Sequence, residues 1–178
     1  KEIQSELKDL LLENARFEVR IKEKDFDSKG IDDVEFFVAM NKGSEFQELS
    51  KVASGGELSR LMLGLKVIFS SIYGISTIVF DEIDTGVSGK AANSIAKKMK
   101  DLSKNTQVIS ITHLSTVASY ANNHFLILKE EEDNVNKTVI EEINDGDRIK
   151  ELAMMMSGNI NPSSLDAAEV LLKKGQEY

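Results

Sequence analysis

The run Thr77-Ile78-Val79-Phe80 leads directly into two adjacent carboxylates, Asp81 and Glu82. A short β-branched and aromatic run predicts a buried strand over Thr77–Phe80, and open α/β sheets bind their ligands at the carboxyl ends of strands. Two carboxylates beside an apolar strand are costly unless a cation or hydrogen-bond donors offset them. An aspartate at that edge can hold Mg2+, mostly through water, while a neighbouring glutamate orients or deprotonates an attacking water. The competing reading is a pair of acids stabilised by the dipole of a following helix.

Three neighbours favour the chemical reading. The polar, glycine-bearing stretch Ile83-Asp84-Thr85-Gly86-Val87-Ser88-Gly89 runs straight on from the acids. His113 follows a second predicted strand, Gln107–Thr112, and so should emerge at the same sheet edge, where an imidazole can hydrogen-bond a phosphate. Upstream, Ala53-Ser54-Gly55-Gly56-Glu57-Leu58-Ser59-Arg60 sits where a loop turns into a helix. Paired glycines there bring backbone N–H groups close to a ligand, and the helix N-terminus favours an anion. By itself the same segment is also a plain N-cap by Ser54. His124 has no such address and reads as a surface or packing residue.

The elements that must position these groups form an α/β pattern. Helices are predicted near Glu57–Tyr73 and Ser88–Ser103, alternating with the strands at Thr77–Phe80 and Gln107–Thr112. Phe17, Val19 and Ile21 alternate with charged residues, which predicts a half-buried strand, paired with a second at Val34–Met40 across a charged turn at Asp25–Asp33. Short strands at Phe125–Leu128 and Thr138–Ile143 flank Glu130-Glu131-Glu132-Asp133, read as a solvated hairpin tip. Helices from Asp147 to Met156 and after Pro162 close the chain, the latter opened by Ser163-x-x-Asp166. At the other end Ile3, Leu7, Leu10 and Asn14 recur at the spacing of a coiled-coil seam. About two heptads are marginal alone, so Lys1–Ala15 is either the end of a longer coiled coil or a helix lying on the core.

Composition sets outer bounds. The chain has 178 residues, 41% apolar and 29% charged, enough for one core, and 22 Lys+Arg against 30 Asp+Glu give a net charge of −8. It is therefore not a basic DNA-coating module, and any DNA affinity needs a local patch such as Lys97, Lys98, Lys100 and Lys104, unless those lysines are a solvated helix face. With no cysteine, thiolate zinc sites, thiol nucleophiles and disulfides are excluded. No apolar run approaches the roughly 20 residues that span a bilayer. The chain opens at Lys1 with neither a methionine nor an apolar export segment, as expected either of a recombinant expression product or of a piece excised from a longer protein.

Lys51 to Arg60 resembles the signature motif of ABC-type ATPases, and Thr77 to Glu82 resembles their Walker B strand. Asp84 to Gly89 then occupies the D-loop position and His113 the switch-histidine position. Within that superfamily, the run Phe80 to Gly89 followed by Ile111-Thr112-His113-Leu114 resembles the RecN family of bacterial SMC-like repair proteins, and the similarity extends over nearly the whole chain.

The resemblance implies the C-terminal lobe of an ABC-type, SMC/RecN-like head: a mostly parallel sheet with flanking helices, a small antiparallel strand pair and an N-terminal coiled-coil stump. The implied division is residues 1–15 as coiled-coil end and 16–178 as head lobe. Carried over by position, Asp81 would hold Mg2+, Glu82 would activate water and His113 would contact the γ-phosphate of ATP. Ser54, Gly55, Gly56 and Glu57 would cap the ATP of an opposite head, and Asp84 would help organise that interface. The implied partners are a Walker A lobe of the same protein, a second head in a homodimer, DNA, and recombination proteins, in the cytoplasm at the nucleoid and away from membranes. G-x-x-x-x-G-K-[ST] is absent, and Gly89-Lys90-Ala91 lacks the hydroxyl. The chain alone is thus expected not to turn over ATP. The rival readings are a lobe used only for pairing or binding, and the head of another ABC-type ATPase.

Overall fold

The computed structural model describes residues 2–52, 55–132 and 135–178. In chain order the elements are α1 (Glu2–Asp9), β1 (Arg16–Asp27), β2 (Gly30–Ala39), β3 (Gln47–Glu48), a 3-10 turn at Leu49–Lys51, α2 (Gly55–Tyr73), β4 (Thr77–Asp81), α3 (Gly89–Leu102), β5 (Gln107–Ile111), α4 (Ser115–Ala118), β6 (His124–Glu132), β7 (Val135–Ile143), α5 (Asp145–Ser157) and α6 (Pro162–Gln176). Among the described residues, no helix is long and apolar enough to cross a membrane.

The α/β arrangement is as expected, but its parallel part is the smaller share of the strands. β4 and β5 pair in parallel, whereas β1-β2-β3 and β6-β7 are antiparallel. The physical reason is connection length: α3 gives β4 and β5 the crossover a parallel pair needs, while the tight links within the other sheets permit only antiparallel return. Those hairpins also run further than their apolar residues suggested. Lys22 pairs with Asp33 and Glu23 with Asp32, so the charged stretch predicted as turn is mostly strand. Glu130 and Glu131 likewise lie in β6, opposite Lys137 and Asn136. Lys22 opposite Asp33 and Glu130 opposite Lys137 set opposite charges across the ladder, which supports strand there, whereas Glu23 and Asp32 face each other with like charge.

Among the described residues, three apolar clusters hold the chain together. Leu63, Phe80, Ile95 and Tyr120 belong to the first, which joins α2, β4, α3 and the end of α4. Leu7, Leu12, Val38, Leu61 and Leu65 form the second, which fastens α1 and β2 to α2. The third joins α4, α5 and α6 through Ala118, Leu152, Ala153, Ala168 and Leu172. Burying each large aliphatic or aromatic side chain contributes about 1.5–3 kcal/mol. α1 is thus a helix lying on the core, and the chain leaves it through Leu11, at φ 58°.

Lys98 of α3 holds α1 in place, 2.9 Å from Glu6 and 2.8 Å from Asp9. Lys104 pairs with Asp101 at 2.7 Å, and the Lys97 ammonium lies over the Tyr178 ring. Lys97, Lys98 and Lys104 are therefore each committed to a separate contact and do not form one free basic patch with Lys100. α6 begins differently from the expected Ser163–Asp166 pattern: Asn161 caps the helix and Ser164 returns the bond. Asparagine is as good a cap as serine, and Pro162 fills the first helical position.

Candidate active site

The β4–β5 register gathers the predicted residues at one sheet edge. Asp81 stands opposite Ile111, so Glu82 and Thr112 leave the sheet side by side and His113 follows. The Glu82 N–H donates to the Ile111 carbonyl at 3.1 Å, which fixes the exit of the chain. Glu82 has φ 46°, a left-handed conformation that costs a non-glycine residue about 1–2 kcal/mol. A tight loop follows, with the Thr85 N–H donating to the Glu82 carbonyl at 3.1 Å and the Val87 N–H to the Asp84 carbonyl at 3.0 Å. Gly86, at φ 72°, supplies the positive φ this turn requires.

Exposure separates the carboxylates. Asp81 and Glu82 are exposed, as is His113, whereas Asp84 is only 1% exposed. Its Oδ2 accepts a hydrogen bond from the Thr112 hydroxyl. Its Oδ1 is buried, makes no hydrogen bond, and lies 3.9 Å from Nδ1 of His113. Asp84 therefore points into its own chain.

The glycine segment meets the same loop. α2 begins at Gly55, and an added Cβ on Gly56 would stand 2.9 Å from the Gly86 carbonyl oxygen. The start of α2 and the loop after the acids are thus in backbone contact. Glu57 lies half-buried in the first turn of α2. Ser54 lies outside the described residues. A cleft of about 310 Å³ runs between the elements, lined by Leu58, Ser59, Met62 and Lys66 of α2 and by Phe80, Asp81, Glu82 and Ile83. Leu58 and Ser59 belong to the glycine-led segment, whereas Met62 and Lys66 lie beyond it; Leu58, Met62 and Lys66 recur every fourth position and so share a helix face. Thr112 was missed as a partner, because a hydroxyl beside a histidine has no signature until the loop is folded against it.

Among the described residues, no group of three or more potential ligands could enclose a metal. Mg2+ does not require one: it keeps several waters and takes one or two carboxylates together with substrate phosphates. Exposed Asp81 at the rim of a cleft fits that donor set.

The opposite face of the parallel pair is bare. Val79, Ile109 and Ile111 are 53%, 46% and 45% exposed. The apolar runs predicted strands buried on both faces, but α2 and α3 cover one face and no described residue covers the other. Phe125, Ile127 and Ile140 are similarly exposed on β6 and β7.

No family model matches the chain. It is 42% identical over 161 residues to the DNA repair protein RecN of Halalkalibacterium halodurans, covering 88% of this chain and 28% of that protein. It is 37% identical to the DNA repair protein RecN of Bacillus subtilis, covering 99% of this chain and 34% of that protein. The chain therefore spans about a third of the length of these relatives. Among solved structures it resembles the Smc head domain from Pyrococcus yayanosii, with a TM-score of 0.66 at 18% identity, covering 88% of this chain and 28% of that one. It also resembles an SMC ATPase structure from work on ATP-driven dimerisation and DNA-stimulated activation, with a TM-score of 0.57 at 19% identity, covering 89% of this chain and 91% of that one. Over nearly its whole length the chain is similar in sequence to a segment of the RecN proteins, and its α/β fold is that of the SMC head structures.

Proposed function

We propose that this chain is the C-terminal lobe of an ATP-hydrolysing head that works in DNA double-strand break repair and recombination. The observation that carries the reading is the convergence of Asp81, Glu82 and His113 at one edge of the β4–β5 sheet, in contact through Gly86 with the glycine-led start of α2. In this reading Asp81 helps hold Mg2+, which neutralises charge on the phosphates when bound. Glu82, exposed and fixed in a left-handed turn, orients the attacking water and accepts its proton. His113 hydrogen-bonds the γ-phosphate. Ser54, Gly55, Gly56 and Glu57 cap the nucleotide of a second head, and Asp84 anchors the loop that faces that head. Phosphoryl transfer of this kind is mostly positioning and charge stabilisation, so a lobe without the phosphate-gripping loop lacks most of the required geometry.

The bare face of Val79, Ile109 and Ile111 supports an apolar partner surface, which we assign to the Walker A lobe of the same protein. In the longer protein α1 is the end of a coiled coil, and residues 10–15 turn the chain from it into β1. DNA, a second head and recombination proteins are engaged by the assembled protein in the cytoplasm, at the nucleoid. The test is ATP turnover: the chain alone shows none, and combining it with the Walker A lobe restores it. Robust turnover by the chain alone, or none by the combination, overturns the reading.

A further inference from the structure

The geometry points to Asp84 as a positioning residue that sets the tautomer and direction of the His113 ring. The inference rests on the proposed role of His113 at the γ-phosphate, which gives the ring's direction its meaning.

Asp84 is buried to 1% exposure, and its carboxylate tethers the loop to Thr112 without taking part in the backbone bonds that close the turn. The turn is closed by backbone groups, the Thr85 N–H to the Glu82 carbonyl and the Val87 N–H to the Asp84 carbonyl. The carboxylate is instead directed at the segment that carries His113. The Thr112 hydroxyl oxygen accepts from the Leu114 N–H at 2.9 Å, which turns its proton toward Asp84 Oδ2. That fixes one carboxylate oxygen and leaves Oδ1 without a partner. A buried carboxylate oxygen with no donor is costly, and more so for a charged group than for a neutral one. The group placed to relieve it is the His113 imidazole, with Nδ1 3.9 Å away and the side chain 59% exposed, free to rotate.

A small ring rotation brings Nδ1–H within hydrogen-bond reach of Oδ1. The proton then resides on Nδ1, and Nε2 is turned outward, where it meets an anion. A carboxylate behind an imidazole fixes which ring nitrogen carries the proton. Thr112, Asp84 and His113 thus form a relay of position: hydroxyl to carboxylate to imidazole.

The test uses imidazole nitrogen-15 spectra of the chain without nucleotide, at a pH where the rings are neutral. The chain has two histidines, so His124 serves as internal reference. The expected result is a proton on Nδ1 of His113, moving to Nε2 in Asp84→Ala and in Thr112→Val and returning to Nδ1 in Thr112→Ser, with His124 unmoved. A proton on Nε2 in the unmodified chain overturns the inference, as does an unchanged His113 spectrum in folded Asp84→Ala. If Asp84→Ala does not fold, the unmodified chain and the Thr112 pair decide. Because the readout needs no nucleotide, failure of the ATPase reading and failure of this contact are separate results.

Discussion

Gly56 and Gly86 are in contact across the site: a Cβ on Gly56 would stand 2.9 Å from the Gly86 carbonyl oxygen and 3.2 Å from Cγ2 of Val87. Gly56→Ala must therefore push the loop off the helix. Overpacking costs about 1–3 kcal/mol, and the helix propensity gained returns at most about 1 kcal/mol of that. Gly56→Ala is expected to lower stability by about 1–2 kcal/mol, seen as a lower urea midpoint. Gly55→Ala, where an added Cβ meets nothing within 4 Å, should stay within about 0.5 kcal/mol of the unmodified chain.

Glu82 offers a separation of strain from charge. Glu82→Gly removes the left-handed penalty and should raise stability by about 1 kcal/mol in chemical denaturation. Glu82→Gln keeps the backbone strain and loses the proton acceptor. In the assembled protein it should lower ATP turnover by about 10²–10⁴-fold, with nucleotide binding and head pairing retained. Unchanged turnover would remove Glu82 from the catalytic role.

Gly175 is the second steric prediction. A Cβ there would stand 2.6 Å from the carbonyl carbon of Ser119 and 3.0 Å from the amide nitrogen of Tyr120, both backbone atoms. Gln176 beside it donates to the Ser119 and Ala121 carbonyls at 2.8 and 3.0 Å. Gly175→Ala should detach α6 from the end of α4, losing about 2–3 kcal/mol, visible as a lowered melting temperature. Gln176→Ala, which removes hydrogen bonds without adding bulk, should lose about 1 kcal/mol.

His124 makes the fold acid-sensitive. Burial pushes its proton affinity below that of an ordinary histidine, and the neighbouring Arg148 charge adds to the effect. The unfolded chain then takes up a proton on this ring before the folded chain does. Stability is fully present above about pH 6.5, the ordinary histidine value, and falls as pH drops from there toward the folded value. Urea midpoints at pH 7.5 and pH 5.5 measure the loss, and His124→Gln should flatten this part of the profile. An equal slope in the variant would assign the sensitivity elsewhere.

Much of this was legible in the sequence because two different periods marked it. Apolar spacing on α2 and α3 gave helices, and the β-branched runs ending at Phe80 and Ile111 gave strands, so the address of Asp81, Glu82 and His113 followed from where those runs stop. The antiparallel ladders were less legible, since Asp32, Asp33, Glu130 and Glu131 look like turn residues until their cross-strand partners are known. The inward direction of Asp84 was not legible at all. Nothing in Asp-Thr-Gly distinguishes a carboxylate facing a neighbouring molecule from one held by Thr112, 28 residues away in the chain.

The uncovered face of Val79, Ile109 and Ile111 has a consequence for how the protein comes to exist. A two-stranded parallel sheet with one apolar face open is a sticky intermediate, because exposed β-branched strands invite pairing with other chains. Produced alone, the chain should pellet more readily as its concentration rises, and charged substitutions at Val79 and Ile109 should keep it in solution while abolishing assembly with its partner lobe. On the proposed reading, the surface that pairs with the Walker A lobe is the same one that makes the chain vulnerable during synthesis, and the order in which the two lobes emerge and meet becomes part of the folding problem.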